Sequence, residues 1–472
     1  MVGPGSADSS AARPDIVLPN AARSADDEVP DQRLRVQGTF LQGLLVPTAV
    51  SALLLVGALH TRVPLERLDA STVVGAGVHL VLPTAYLVLD PVCRLLDTVS
   101  LLTLPQHLAL CATLLAGILL RALFAARRQH RMSVWRHARR PAAITALAVA
   151  LAYFAGALAP RPMLALAVDA PDVLKIDFHS HTSASHDGRP GFDLGHNRAW
   201  HAAAGFNAAY VSDHASWNAI KDADRQTPAG AGGTVLLSAM EAGIGHTRVI
   251  ALGPQSTYAS ALRGGQLDRT ALAAIAAADH RAATLIYTVP ESVRELRSRL
   301  PPDIPGLTAI EISDASPRGL GQSRQYHDAL MAWADTMNIA LVAASDNHGW
   351  GRTAAAWTLM SLPGWQGMRP PELARAIEDK LHRDGRQATS VVALRPPAGS
   401  LSGWQTIATV PVMLWNLDAS LSAAERFSWA SYVWGLALLR GLWWRRRRGA
   451  EKDAWPAAKP SSAGDVLPAP QQ

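Results

Sequence analysis

Hydrophobic positions in this chain come in two textures. Over residues 37–168 they run almost unbroken, in four stretches at 38–59, 71–89, 106–126 and 141–159. About 20 apolar residues are needed to cross the hydrocarbon core of a bilayer. None of the four shows the polar face at helical spacing that a soluble bundle needs, so a transmembrane region of three to four helices is predicted. Pro47 and Pro83 do not exclude spans, because membrane helices tolerate proline. The stretch at 71–89 is the weakest of the four, since Asp90, Arg94 and Asp97 follow it closely. From 172 to 395 the texture changes to short apolar runs that alternate with helical patterns. Runs that are apolar throughout predict strands buried on both faces. Strands are expected at Val173–Phe178, Ala208–Ser212, Thr234–Met240, Arg248–Leu252, Ala283–Val289, Ala309–Ile312, Ala340–Ala344 and Thr389–Leu394. Helices are expected at Leu194–Ala204, Asp268–His280, Glu291–Leu300, Ser323–Met337 and Pro371–Leu381. Such repetition predicts an α/β barrel or a related parallel sheet.

The remaining segments are polar or membrane-like. Residues 1–36 and 449–472 are rich in small and polar residues and are expected to be disordered. Between them, 404–448 is expected to be membrane-associated. Half of the 14 tryptophans lie between Trp404 and Trp455, and 427–444 reads as a short span or an interfacial helix, with Arg440 inside it.

Charge refines this division. Charged residues make up 17% of the chain, against roughly 25% in soluble domains. The net charge of +6 raises nucleic acid as a partner. The arginines, however, cluster beside apolar segments, at Arg127, Arg128, Arg131, Arg136, Arg139 and Arg140, and again at Arg445–Arg448. No aromatic-interleaved basic groove accompanies them, so a lipid bilayer, and not nucleic acid, is the expected partner. Both clusters fit the cytoplasmic face of a multi-pass protein of the cytoplasmic (inner) membrane, with the 172–395 domain on the extracytoplasmic side. The two cysteines, Cys93 and Cys111, lie in the apolar region, so the soluble domain has neither a disulfide nor a thiolate metal site. Nothing in the sequence selects an oligomeric state.

The chemistry collects at strand ends. His179 and His181 follow the first domain strand, Asp213 and His214 the second, and Glu241 the third; Asp346 and His348 follow a late one. In parallel α/β folds the carboxyl ends of the strands converge on one face, so these side chains are expected to meet. Residues two apart on an extended strand point the same way, which makes His179 and His181 a chelating pair. Glu241 is placed to bridge two ions through its two oxygens. His196, His201, His280 and His327 fall on helices, where a packed or exposed role is expected.

With these motifs assembled, the domain resembles the PHP (polymerase and histidinol phosphatase) family. The resemblance rests on "DFHSHTSASHDG", "AAYVSDH", "LLSAMEAGIGHTRVIALG" and "VAASDNH", in order through about residues 172–350. It implies a distorted (β/α)7 barrel holding two or three divalent ions (Zn, Mn or Fe), and metal-dependent hydrolysis of a small phosphoester. It further implies that His179, His181, Glu241 and Asp346 hold one ion, and that Asp187, His214 and His348 hold another. His246 with Glu241 would hold a third. The chain departs from the family at Val289–Pro290, where many members carry a metal-binding histidine before the proline.

Clustered divalent ions would activate water near neutrality, so no serine or cysteine nucleophile is required, and no G-x-S-x-G is present. Arg352 is the first candidate for a phosphate clamp, with Arg189 and Lys175 behind it. Two other readings stand beside the enzyme: a catalytically degenerate metal-binding or ligand-sensing domain, and a membrane assembly protein.

Overall fold

The computed structural model describes residues 28–69, 77–128, 134–221, 233–279, 282–288 and 304–453. The chain divides into two compact units. One combines residues 1–52 and 433–472; within it the Trp434 indole donates to Ser51 Oγ at 3.0 Å. The other, Leu53–Tyr432, carries the described strands and the candidate site.

The apolar stretches divide. Among the described residues two single helices, Leu104–Arg127 and His137–Leu158, are long and apolar enough to cross a membrane, with mean hydropathies of 2.2 and 1.8. The stretch at 38–59 lies in one helix, Glu28–Leu59, whose apolar part Gly43–Leu59 is shorter. That helix begins inside the N-terminal segment expected to be disordered. At the other end, Ala423–Asp453 is likewise one helix, reaching past 448. The expected span at 71–89 is not a single helix: Val78–Val81 is a strand and Thr84–Val88 a short helix that Pro83 caps. Proline has no N–H for a helical ladder, and it separates the two conformations. Helix Glu291–Leu300 and the Val289–Pro290 departure lie outside the described residues.

In chain order the strands are β1 (Leu65–Arg67), β2 (Val78–Val81), β3 (Ala165–Val168), β4 (Val173–Ser180), β5 (Ala208–Val211), β6 (Val235–Ile244) and β7 (Thr247–Leu252). They continue with β8 (Leu262–Arg263), β9 (Gln266–Leu267), β10 (Thr284–Tyr287), β11 (Leu307–Ser313), β12 (Ala340–Ala343), β13 (Ala356–Ser361) and β14 (Ser390–Leu394). Ten of them form a curled path, β1-β14-β13-β4-β5-β6-β7-β10-β11-β12. β4, β5 and β6 are parallel neighbours, as are β10, β11 and β12. The sheet is nevertheless mixed, which corrects the expectation of a parallel one. Only Gly245 and His246 separate β6 from β7, and so short a turn permits only an antiparallel hairpin. β13, also antiparallel to β4, has no counterpart among the expected strands. Beyond β12 the chain returns to β4: Ser180 and Asn347 form a parallel bridge, and Asp346 N–H donates to His179 O at 3.0 Å.

Side-chain capping sets the helices between the strands. Asp193, Asp268 and Ser323 accept N–H bonds at the starts of Leu194–Ala203, Arg269–Ala278 and Arg324–Met337. Alternate strand residues feed two core layers. Ile176, Phe178, Tyr210 and Leu237 pack with Leu373 and Ile377 of helix Pro370–Asp384. Val211, Leu236, Tyr287 and Leu341 pack on the other face with Leu272 and Leu330.

A bulge decides what β4 presents at its end. Asp177 pairs with Ala209, but Ser180 pairs with Val211, so β4 carries one extra residue. Such an insertion re-aims the residues that follow it. After it, His179 and His181 share a face with Glu241 of β6 and Glu311 of β11. β11 has its own irregularity between Glu311 and Ser313.

Candidate metal centre

His179, His181 and Glu241 offer three ligand atoms close enough to hold one ion, and Asp346 lies beside the two histidines. His179 Nε2 and His181 Nε2 are 2.9 Å apart. Glu241 Oε2 lies 3.4 Å from the first and 3.5 Å from the second, and Asp346 Oδ1 lies 3.4 and 3.3 Å from them. A tetrahedral ion with bonds of about 2.0–2.1 Å holds its ligand atoms about 3.3 Å apart. The separations from the histidines to the two carboxylates, 3.3–3.5 Å, are near that value, and the 2.9 Å between the histidines is shorter.

Neighbours orient each imidazole. The His179 Nδ1–H donates to Glu311 Oε1 at 2.8 Å, and Glu311 is fully buried. Ser185 Oγ gives its only proton to Asp213 Oδ1, at 3.0 Å, so it accepts from His181 Nδ1–H at 3.0 Å. Both Nε2 lone pairs are thereby left for an ion, the arrangement that partners of metal-binding histidines enforce. Asp213 also accepts from the Thr182 N–H (2.7 Å) and hydroxyl (2.8 Å), so it pins the loop after β4. In the same loop a Cβ at Gly188 would collide with the Thr182 carbonyl.

A second pole adjoins the first. Asp187 Oδ2 is 3.3 Å from His214 Nε2, and Asp187 Oδ1 is 3.3 Å from His348 Nε2. His348 Nδ1 donates to the Asp346 carbonyl at 2.8 Å, so Nε2 carries the lone pair; it is buried with no hydrogen-bond partner. An orphaned buried acceptor beside two acidic groups, Asp187 and Asp346, is what a cation site requires. Glu241 joins the poles, because Oε2 also lies 2.9 Å from His214 Nδ1. Among the described residues three groupings could hold an ion: His179, His181 and Glu241; His181, His214 and His348; and His186, Asp187 and His214. His246 is exposed on the β6–β7 turn and belongs to none of them.

The electrostatics suit cations. Burial pushes the Glu241 carboxyl up, but hydrogen bonds from His179 and His214 outweigh it and hold the group well below the usual range. Asp346 is lowered in the same way, by His179 and His181 against burial. Burial brings His181 down to about 4, so its imidazole is neutral at pH 7. Burial also pulls on His179, but Glu311 and Asp346 outweigh it and raise this group well above the ordinary value. An arriving ion would displace that proton, which couples metal uptake to proton release. Asp346 adopts φ +46°, a left-handed conformation that costs energy in a residue with a side chain and concentrates at functional sites.

Several of these parts were not singled out by the sequence pattern. Glu311 reads as one polar residue in an apolar strand, and its partner lies 132 residues away. His201, expected to be packed or exposed on its helix, is fully buried, with Nε2 2.7 Å from Asp177 Oδ2. Asp177 also accepts from the Ser345 and His179 N–H groups, clasping β4 to the segment that carries Asp346. Arg248, with its side chain 56% exposed, places Nη1 3.3 Å from Glu241 Oε1 and 3.0 Å from His214 Nδ1. Arg352, by contrast, is tied through Nε to the Arg161 carbonyl at 2.7 Å. Lys175 sits near the amino end of β4, its ammonium on the Leu166 carbonyl at 3.0 Å. Arg189 is half-buried beside the second pole, its N–H donating to His348 O at 2.8 Å.

No family model and no curated protein matches the chain. Among solved structures, PsfC from Pseudomonas syringae is similar at 17% identity and a TM-score of 0.33, over 51% of this chain and 96% of its own. An amidohydrolase from Chromobacterium violaceum, with bound sulfate and no metal, is similar at 16% identity and a TM-score of 0.28, over 45% and 98%. The lesion-specific endonuclease PfuEndoQ from Pyrococcus furiosus is similar at 12% identity and a TM-score of 0.32, over 44% and 56%. At TM-scores this low, the functional reading rests on the chain's own residues.

Proposed function

We propose that this chain is a membrane-anchored, metal-dependent phosphoesterase with a PHP-type barrel. The observation that carries the reading is the group of His179, His181 and Glu241, with Asp346 3.4 and 3.3 Å from the two histidines, joined through Glu241 to His214, which in turn adjoins Asp187 and His348. The first four residues would hold one ion and the last three another, with zinc, manganese or iron all compatible with such donors. When bound, the ions would supply a water ionised near neutrality and offset the charge of the phosphoryl oxygens. The protein's own part is orientation. Glu311 and Ser185 fix the ring faces of His179 and His181, and Asp213 holds the loop that carries Asp187. Arg248, exposed beside Glu241, offers its remaining N–H groups to a phosphate, a task that a guanidinium fork suits. The arginines between the two candidate spans favour the cytoplasm, which puts the strand domain on the extracytoplasmic side.

The test uses the full chain in detergent. Metal analysis is expected to find two ions per chain, with hydrolysis of a phosphomonoester or phosphodiester panel. His179→Ala together with His181→Ala should remove the bound metal and the turnover. Stoichiometric metal without turnover would support the sensing domain instead, and a chain without metal would sink both readings.

A further inference from the structure

The metal centre adjoins the end of a candidate membrane span. Gly351, three residues after His348, donates its N–H to the Ala157 carbonyl at 2.8 Å, and Ala157 belongs to the span His137–Leu158. Between them Trp350 is 51% exposed, and its indole approaches the carbonyl of Asp187 at 3.4 Å. A cavity of about 270 Å³ opens on the other side of this tryptophan, lined by Leu96, Val99, Ala152, Tyr153 and Gly156. Its wall includes His107, near the start of the other candidate span, whose Nδ1 meets the Tyr153 hydroxyl at 2.5 Å. The start of one span and the end of the other therefore lie together, on the side away from the arginine-bearing connection. One tryptophan thus separates the candidate metal centre from a mostly apolar cavity whose wall includes span-end helix. Tryptophan is enriched at that depth because its ring is apolar and its N–H polar.

From this juxtaposition we infer that the substrate is a lipid-borne phosphoester, with its phosphate at the metal centre and an apolar chain in the cavity beside Trp350. The inference rests on the phosphoesterase reading and narrows its substrate class. Hydrolysis is balanced by water alone: its oxygen forms the new P–O bond, the P–O bond to the lipid alcohol breaks, and a proton passes to the departing oxygen.

The test compares, with the full chain in detergent, dibutyryl, dihexanoyl and dioctanoyl phosphatidic acids and phosphatidylglycerols with glycerol 3-phosphate. Each buried methylene is worth roughly a fourfold gain in affinity, so KM should fall by about that factor per methylene until the cavity is full. Gly156→Ile should flatten the series. A Cβ at Gly156 meets only Leu96 Cδ2 at 3.9 Å and Ser100 Oγ at 4.0 Å, so the helix accepts the side chain while the cavity loses room. A phosphatidic acid with a chain-borne diazirine should label the peptides that carry Tyr153 or Trp350, and unlabelled lipid but not glycerol 3-phosphate should compete. Equal KM across the series, or labelling that lipid does not compete, would overturn the inference while leaving the phosphoesterase intact. Metal-free, inactive protein would instead remove the parent reading.

Discussion

Removing the charge behind His179 tests whether the candidate metal centre is built from outside its own ligands. Glu311 is fully buried, 2.8 Å from His179 Nδ1, and Glu311→Gln keeps the size and an accepting oxygen while deleting the charge. A hydrogen bond to a charged group contributes about 1.5–3 kcal/mol and a neutral one about 0.5–1.5 kcal/mol. The difference, roughly 1–1.5 kcal/mol, is about a tenfold loss of metal affinity. Glu311→Ala loses the whole bond and strands a buried N–H, so it should reach the upper end of the roughly 10–100-fold range for such outer partners. Competition for zinc against a fluorescent chelator at pH 7 measures both variants, with circular dichroism melts as a control for folding. The order expected is wild type, then Gln, then Ala. An affinity for Glu311→Gln within twofold of wild type would refute the reasoning, because it would mean that the buried carboxylate contributes nothing to the basicity or aim of His179.

Two further outcomes follow from the geometry. Glu378, on helix Pro370–Asp384, is pushed up to about 8 by burial, against an ordinary value of 4.5. Because the folded value is the higher one, its contribution to stability is fully present below about 4.5 and is lost as pH rises through about 8, by at most about 5 kcal/mol. Melting temperatures measured from pH 5 to pH 9 should therefore fall more steeply for wild type than for Glu378→Gln, and parallel slopes would contradict this. Arg248→Ala should raise KM for a phosphoester about tenfold or more, with the bound metal retained. Loss of metal in that variant would instead make the guanidinium a structural counter-charge for Glu241.

The residues that the sequence alone made legible are those whose role depends on local chain geometry. His179 and His181 sit two apart at the end of β4, and His214, Asp346 and His348 follow apolar runs, so their approach at strand ends could be anticipated; Glu241, expected after its strand, lies inside β6. The two long apolar helices were legible for the same reason, since their length and composition are properties of consecutive residues. Other features needed the folded chain. A bulge of one residue in β4 determines which face receives the histidines, and no alternation of residue types announces it. Glu311 and His201 acquire meaning from partners 132 and 24 residues away along the chain, and Arg248 from His214, 34 residues away, as well as from Glu241 across the β6–β7 hairpin. The antiparallel course of β7 and β13 likewise depends on pairings across the sheet. The same holds for Trp350, which the sequence leaves as one tryptophan among fourteen. Only the fold sets it between an acidic, histidine-rich centre and the end of an apolar helix, because tertiary contact between distant segments is what turns a composition into a site.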